Sequence, residues 1–428
     1  MFSVSGPYAA TMRLALGLAI LPGLGTGLLL VLVAGFRLPL AIAWPQLAQA
    51  HGQIQTLGFV LVFIVSVGMQ LFPRFLGAPL LHPERATYGA SVITVALLAR
   101  LIGQPLAAGP ARTLLLATAA IGVPAGALLA GSAFHGLSRR SVQPSTGPSA
   151  AWRRFLLVGG TSLGVTLLLF MAAGLALAFG DVLVDENVDE ALTHLELMGF
   201  TTCLIFGVSS RIFGRFFLLR SHPAFETWVP RLAYTWGIGL VLVTVGWLVP
   251  ALTGALLRTL GALAELAVAC AWVWLVGLYA PPVRESGTPY VTNPTRRWVR
   301  VAFGFLLVGL VLSFAFFVRE AVFGVSPSVT QLSAARHAVA QGFVLPMIVS
   351  MASRLLPIYS ADVLKRRWLL EVIVDTLLLG ALLRVAAEVI GGYDAIAGPL
   401  VALGGTLSIC AFTVFALGMW SSLSRLPR

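Results

Sequence analysis

Six histidines occur in these 428 residues, and three of them fall in copies of one short pattern. The first copy runs His51-Gly-Gln-Ile-Gln-Thr-Leu-Gly58-Phe59 and leads to Gln70-Leu-Phe-Pro73-Arg74. The second runs His194-Leu-Glu-Leu-Met-Gly199-Phe200 and leads to Arg211-Ile-Phe-Gly214-Arg215. The third runs His337-Ala-Val-Ala-Gln-Gly342-Phe343 and leads to Arg354-Leu-Leu-Pro357. Gly58, Gly199 and Gly342 are spaced by 141 and 143 residues, so each copy heads about a third of the chain. A neutral imidazole is a common axial ligand of haem iron and a good ligand for copper or zinc. Matched histidines in three successive thirds point to a metal or haem site held between those thirds.

The elements that carry these histidines are membrane helices. The chain is 58% hydrophobic and only 10% charged, with a mean hydropathy of +0.93; soluble domains carry about 25% charged residues. Twelve spans are expected, at 12–35, 50–72, 86–104, 111–135, 154–180, 192–214, 230–250, 253–280, 299–321, 335–358, 368–391 and 395–420. Lipid offers the backbone no hydrogen-bond partners, so each span must be helical. The expected fold is an all-α polytopic membrane protein of three pseudo-symmetric four-helix units, at 1–140, 141–285 and 286–428. Two polar Pro/Ser-rich linkers, 136–153 and 281–298, separate the units.

The net charge of +12 does not imply nucleic acid as a partner. The cations lie in short loops after even-numbered spans, among them Arg74, Arg85, Arg139, Arg140, Arg153, Arg215, Arg220, Arg284, Arg296, Arg297, Lys365, Arg366 and Arg367. The loop after span 5 is acidic, with Asp181, Asp185, Glu186, Asp189 and Glu190. This bias puts both termini in the cytoplasm of a bacterial inner membrane, and the three histidines at the outer ends of spans 2, 6 and 10. Cys203, Cys270 and Cys410 lie in apolar spans without paired spacing, so neither a disulfide framework nor a cysteine zinc site is indicated. His82, His135 and His222 sit at the inner face and read as surface residues.

Charges inside spans are the second set of functional candidates. Arg384 and Glu388 are four apart and read as an ion pair; Glu371 and Asp375 share a helix face in the same way. Arg100, Arg319 and Arg384 lie near outer span ends, at the level where haem propionates would sit. Glu265 stands in an apolar setting, and Glu196 is expected to orient a nearby imidazole.

Twelve spans with histidines opening spans 2, 6 and 10 resemble subunit I of the haem-copper oxidases and nitric oxide reductases. That resemblance assigns His51 and His337 to a low-spin haem and His194 to a copper position. Two ligand positions differ. Ala335 stands where the high-spin haem histidine would be, and Arg231-Leu-Ala-Tyr-Thr-Trp-Gly in span 7 has no histidine. An oxygen- or NO-reducing centre is therefore not expected. The chain is closer to the NnrS family of twelve-span haem- and copper-containing proteins associated with nitric oxide stress. The family pattern His-Ala-His-Glu-Met-Leu-Phe-Gly-Phe resembles residues 51–59, with Gln53 in place of the second histidine. Its His-Ala-Leu-Thr-Val-Gly resembles residues 337–342, followed by Met351-Ala-Ser-Arg354.

The expectation is a b-type haem held by two of His51, His194 and His337, with His51 and His337 as the favoured pair. A five-coordinate haem or a copper at His194 is the further option. The role implied is one-electron transfer or NO-related redox function, with a cytochrome c or quinol as electron partner and other membrane subunits as neighbours. Two other readings use the same helices. In one, a metal-free transporter or channel uses Glu265, Glu371, Asp375 and Arg384 as its path. In the other, the chain is a structural or assembly subunit.

Overall fold

The computed structural model describes residues 5–142, 151–249, 251–281, 289–360, 367–391, 393–394 and 396–423. Among them the regular structure is helical, with no strand. Eleven helices are long and apolar enough to cross a membrane: α1 (Gly6–Gly35), α2 (Trp44–Leu76), α3 (Glu84–Gly103), α4 (Pro110–Ser132), α5 (Arg153–Phe179), α6 (Glu186–Phe216), α7 (Phe225–Leu248), α8 (Leu252–Val276), α9 (Pro294–Phe323), α10 (Val329–Leu355) and α12 (Ala397–Leu423). The span expected at 368–391 forms the 24-residue helix α11 (Arg367–Ile390). Glu371, Asp375, Arg384 and Glu388 are spread along the whole of α11, so it has no long uncharged stretch. The chain is a polytopic, all-helical membrane protein.

Burial separates these helices into two sets. In α2, α6 and α10, 83%, 72% and 83% of the most apolar window is buried, against half or less in the other spans. The histidine helices therefore form the interior. Around them, α3 pairs with α4, α7 with α8 and α11 with α12; α4 packs on α5, α8 on α9, and α12 on α1. The outer helices turn Val95, Leu128, Leu168, Val241, Leu260, Leu382 and Leu417 outward, as a lipid solvent requires. Glycine lets paired backbones approach closely. A Cβ on Gly89 would lie 2.4 Å from the carbonyl of Gly126, one on Gly261 2.6 Å from that of Gly239, and one on Gly404 2.6 Å from that of Gly380.

The interior helices start earlier than hydropathy suggests, which is a correction to the expected bounds. Their first two turns carry polar residues that pair within the protein, Gln49 with Val184 and Gln104, and Glu190 with Arg336. Asp185 caps α6 by accepting from the backbone N–H of Asn187 and Val188. Ser328 and Gln331 form a capping box on α10. The histidines consequently lie about two turns inside their helices, not at the ends. The linker expected at 281–298 is also shorter, because a helix already runs from Pro289. The unit boundary at 285 and the loop cations Arg284, Lys365 and Arg366 lie outside the described residues.

Just after each histidine the helix widens into a π-turn: Ile54–Val60, Leu195–Thr202 and Ala338–Val344. Each π-turn contains the repeated Gly-Phe pair. The wider turn leaves backbone carbonyls to be satisfied by side chains. In α6, Thr201 and Thr202 donate to the carbonyls of Glu196 and Leu197, and the indole of Trp236 donates to Met198. The π-turn of α6 touches those of both α2 and α10, so the three segments meet inside the bundle. Isolated π-turns recur at functional sites. A fourth, Ala19–Leu24 in α1, contains Pro22 and packs on the first.

Candidate functional site

His51 projects from α2 towards α1. Its Nδ1 lies 2.9 Å from the carbonyl oxygen of Gly23. A carbonyl only accepts, so Nδ1 carries the proton and Nε2 keeps its lone pair. The ring fits there because residue 27 is glycine: a Cβ on Gly27 would lie 2.5 Å from Cε1 of His51 and 3.0 Å from Nε2.

His337 has the same polarity. Its Nδ1 donates to the carbonyl of Ser333 at 2.8 Å, and Glu388 Oε2 lies 3.4 Å away. The Ser333 hydroxyl donates to Glu388 Oε1 at 3.0 Å, and Arg384 Nε donates to that same oxygen at 3.1 Å. Among the described residues, neither Nε2 has a protein hydrogen bond. His51 lies within electrostatic reach of both His337 and Arg384. Arg384 of α11 joins the His337 cluster through Glu388, and His51 of α2 lies within electrostatic reach of that cluster.

His194 is oriented the other way. Its Nε2 donates to Glu265 Oε1 of α8 at 2.9 Å, and Glu265 is almost fully buried. The nitrogen that is free in His51 and His337 is here tied to a carboxylate. Among the described residues, no three His, Cys, Asp or Glu side chains converge as a metal-ligand group.

The other candidates separate. Glu196 does not orient an imidazole; it accepts from Thr56 Oγ1 at 2.5 Å. The carboxylates that orient histidines are Glu265 and Glu388. Arg100 is buried over the ring of Phe170 at 5.1 Å and donates to Gln104. Arg319 donates to Gln331 Oε1 at 2.7 Å on the α9–α10 side. Only Arg384 of the three arginines lies beside His51 and His337. Asp375 pairs with Arg297 at 2.8 Å, half exposed and near the opposite end of α11 from Arg384.

Sequence reasoning missed five contributors. Gly23 and Gly27 lie in a glycine-rich stretch of α1 whose only signal was the density of glycine around Pro22. Ser333 sits one helical turn before His337, a spacing that would have placed its carbonyl against the imidazole. Arg258 and Glu320 pair at 2.7 Å beside Trp247, whose ring centroid is 4.4 Å from the guanidinium. They line a cavity of about 570 Å³ with Asn187 and Ser326.

Compared with known families and with curated proteins, the chain matches none.

Proposed function

We propose that this protein is a b-type haem protein of a bacterial inner membrane, in which His51 and His337 would hold the haem iron. The observation that carries the reading is the shared tautomer. Both imidazoles donate Nδ1–H to a backbone carbonyl and leave Nε2 free to ligate, and both lie within electrostatic reach of Arg384. Such a hydrogen bond fixes the ring and raises the basicity of the other nitrogen. The donor set, two neutral imidazoles with Nε2 free, therefore fits a haem iron. Bound there, the haem would supply one-electron transfer.

The residues of the chain would then act as follows. His51 and His337 bind the iron. The carbonyls of Gly23 and Ser333 hold the two rings. Glu388 fixes Ser333 and Arg384, and Arg384 offers positive charge to a propionate. Gly27 makes room for the His51 ring.

This reading takes the α2–α10 arrangement as part of three pseudo-symmetric four-helix units, with α11 as a twelfth span and both termini in the cytoplasm. The matched π-turns and the repeated outer pairs α3–α4, α7–α8 and α11–α12 support it. The likeness to the NnrS family and to oxidase subunit I is carried by the same histidines. Electron transfer or an NO-related redox role follows, with a cytochrome c or quinol as donor and other membrane subunits as partners. His194 is read as a structural hydrogen-bond partner of Glu265, and a copper there has no support from its geometry.

The test is purification from haem-replete cells followed by a pyridine haemochrome assay. A b-type α-band, with one haem per chain, is expected. A colourless, folded preparation would refute the reading.

A further inference from the structure

A second polar region lies on the opposite side of α2 from His51. Gln49, Gln53 and Thr56 are spaced four and three residues apart and form one stripe of that helix. The stripe faces Arg100 and Gln104 of α3 and Glu196 of α6. At its open end the contacts are complete. Gln49 Nε2 donates to the carbonyl of Val184 at 2.9 Å, Gln49 Oε1 accepts from Gln104 at 2.9 Å, and Arg100 Nε donates to Gln104 at 3.2 Å.

Deeper along the stripe the accounting fails. Both side-chain amide atoms of Gln53 are buried without a partner. So are Nη2 of Arg100 and Oε1 of Glu196, although Thr56 holds the other Glu196 oxygen. Gln53, Arg100 and Glu196 are 3%, 1% and 2% exposed. Buried polar groups are paired in folded proteins, and inside a membrane no lipid can pair them. Here two donors and two acceptors lie unpaired along one seam. That mixture suits a small guest that both donates and accepts. Water is such a guest, and buried waters commonly bridge two to four groups of this kind. Asp189, part-exposed near the start of α6, lies within electrostatic reach of both Arg100 and Glu196 and marks where the seam meets the aqueous side.

We propose that this seam encloses a file of water molecules, admitted from the histidine end of the bundle beside Asp189 and ending against Gln53 and Glu196. The file gives protons and water access to the interior along α2, on the face that the two histidines do not use. It is independent of the haem reading, since none of its residues contacts His51 or His337.

The experiment uses the full chain with Cys203→Ser, Cys270→Ser and Cys410→Ser as background. Gln53→Cys is compared with Val62→Cys, an equally buried position on the same helix in apolar packing. Silver ion is the probe, because it is hydrophilic, thiol-seeking and small enough to follow a single file of water. Reaction is read as protection from alkylation after denaturation. Cysteine at 53 is expected to react many times faster than cysteine at 62. Equal, slow rates in folded protein would overturn the proposal. If Gln53→Cys does not fold, radiolytic hydroxyl labelling of the unaltered protein in ¹⁸O water decides the matter. Labelling within 52–56, read residue by residue so that His51 is left out, above that within 57–63 supports the file, and equal labelling removes it.

Discussion

Nδ1 of His51 stands 2.9 Å from the carbonyl oxygen of Gly23, so the α1 backbone decides which nitrogen of an α2 histidine is free. His337 reaches the same state through the carbonyl of Ser333, one turn earlier on its own helix. The two rings are fixed by different means to the same chemical end, and this frames the behaviour expected of variants.

The histidines should separate cleanly. His51→Ala and His337→Ala are each expected to lose the six-coordinate haem, seen as a collapse of the reduced α-band. His194→Ala should keep that band, because its Nε2 belongs to Glu265. The comparison is made on purified, monodisperse protein at matched concentration. Retention of the band in His51→Ala, or its loss in His194→Ala alone, would contradict the assignment.

Glu388→Leu tests the support of His337. Removing a residue that holds a metal ligand typically weakens the site by about 10–100-fold. Haem affinity, measured by transfer to apomyoglobin, should fall by that factor. Glu265→Leu removes a carboxylate that is just as buried but lies beside His194, and it should leave haem affinity unchanged. Equal effects from the two would remove the distinction between the histidines.

Gly27→Ala adds one methyl group 2.5 Å from Cε1 of His51. The ring must rotate or shift. A broadened or displaced Soret band is expected with little change in melting temperature. An unaltered spectrum would show that the His51 ring does not occupy this place when haem is bound.

Asp394 gives a pH test outside the spans. Its carboxylate accepts from the N–H groups of Ala397 and Ile396 at the start of α12, which holds it below the ordinary value of 3.8. A depressed value in the folded state means that the cap contributes fully above 3.8 and is lost as pH falls through the lower folded value. Hydrogen exchange at the first turn of α12 should rise on acidification over that interval. Asp394→Asn accepts the same bonds without titrating and should flatten the response. The same rise in both proteins would show that the carboxylate is not the cause.

Much of this structure is legible in the sequence, for identifiable reasons. Most outer spans begin within two residues of the bounds that hydropathy gives, because apolarity alone is selected where a helix faces lipid, although α1, α7 and α9 begin five or more residues early. The interior helices α2, α6 and α10 each begin six residues early, because Gln49, Glu190 and Arg336 face other protein and are paired there; Arg336, for example, meets Glu190 at 3.0 Å. The repeated histidines are visible as a spacing, but their tautomers are not. Those depend on Gly23, Ser333 and Glu265, two of which come from other helices. The π-turns were implicit in the Gly-Phe pairs, yet a π-turn has no residue signature comparable to a cap. Glu196 was misjudged because adjacency in sequence to His194 does not put it on the same side of the helix.

The account stands or falls on two imidazole nitrogens sharing one iron. Electron paramagnetic resonance of the oxidised, purified protein reads this directly, together with near-infrared magnetic circular dichroism. The expected result is a low-spin signal of bis-imidazole type that disappears in both His51→Ala and His337→Ala. A high-spin signal, a histidine–methionine signature or no haem signal at all from haem-replete cells would contradict it.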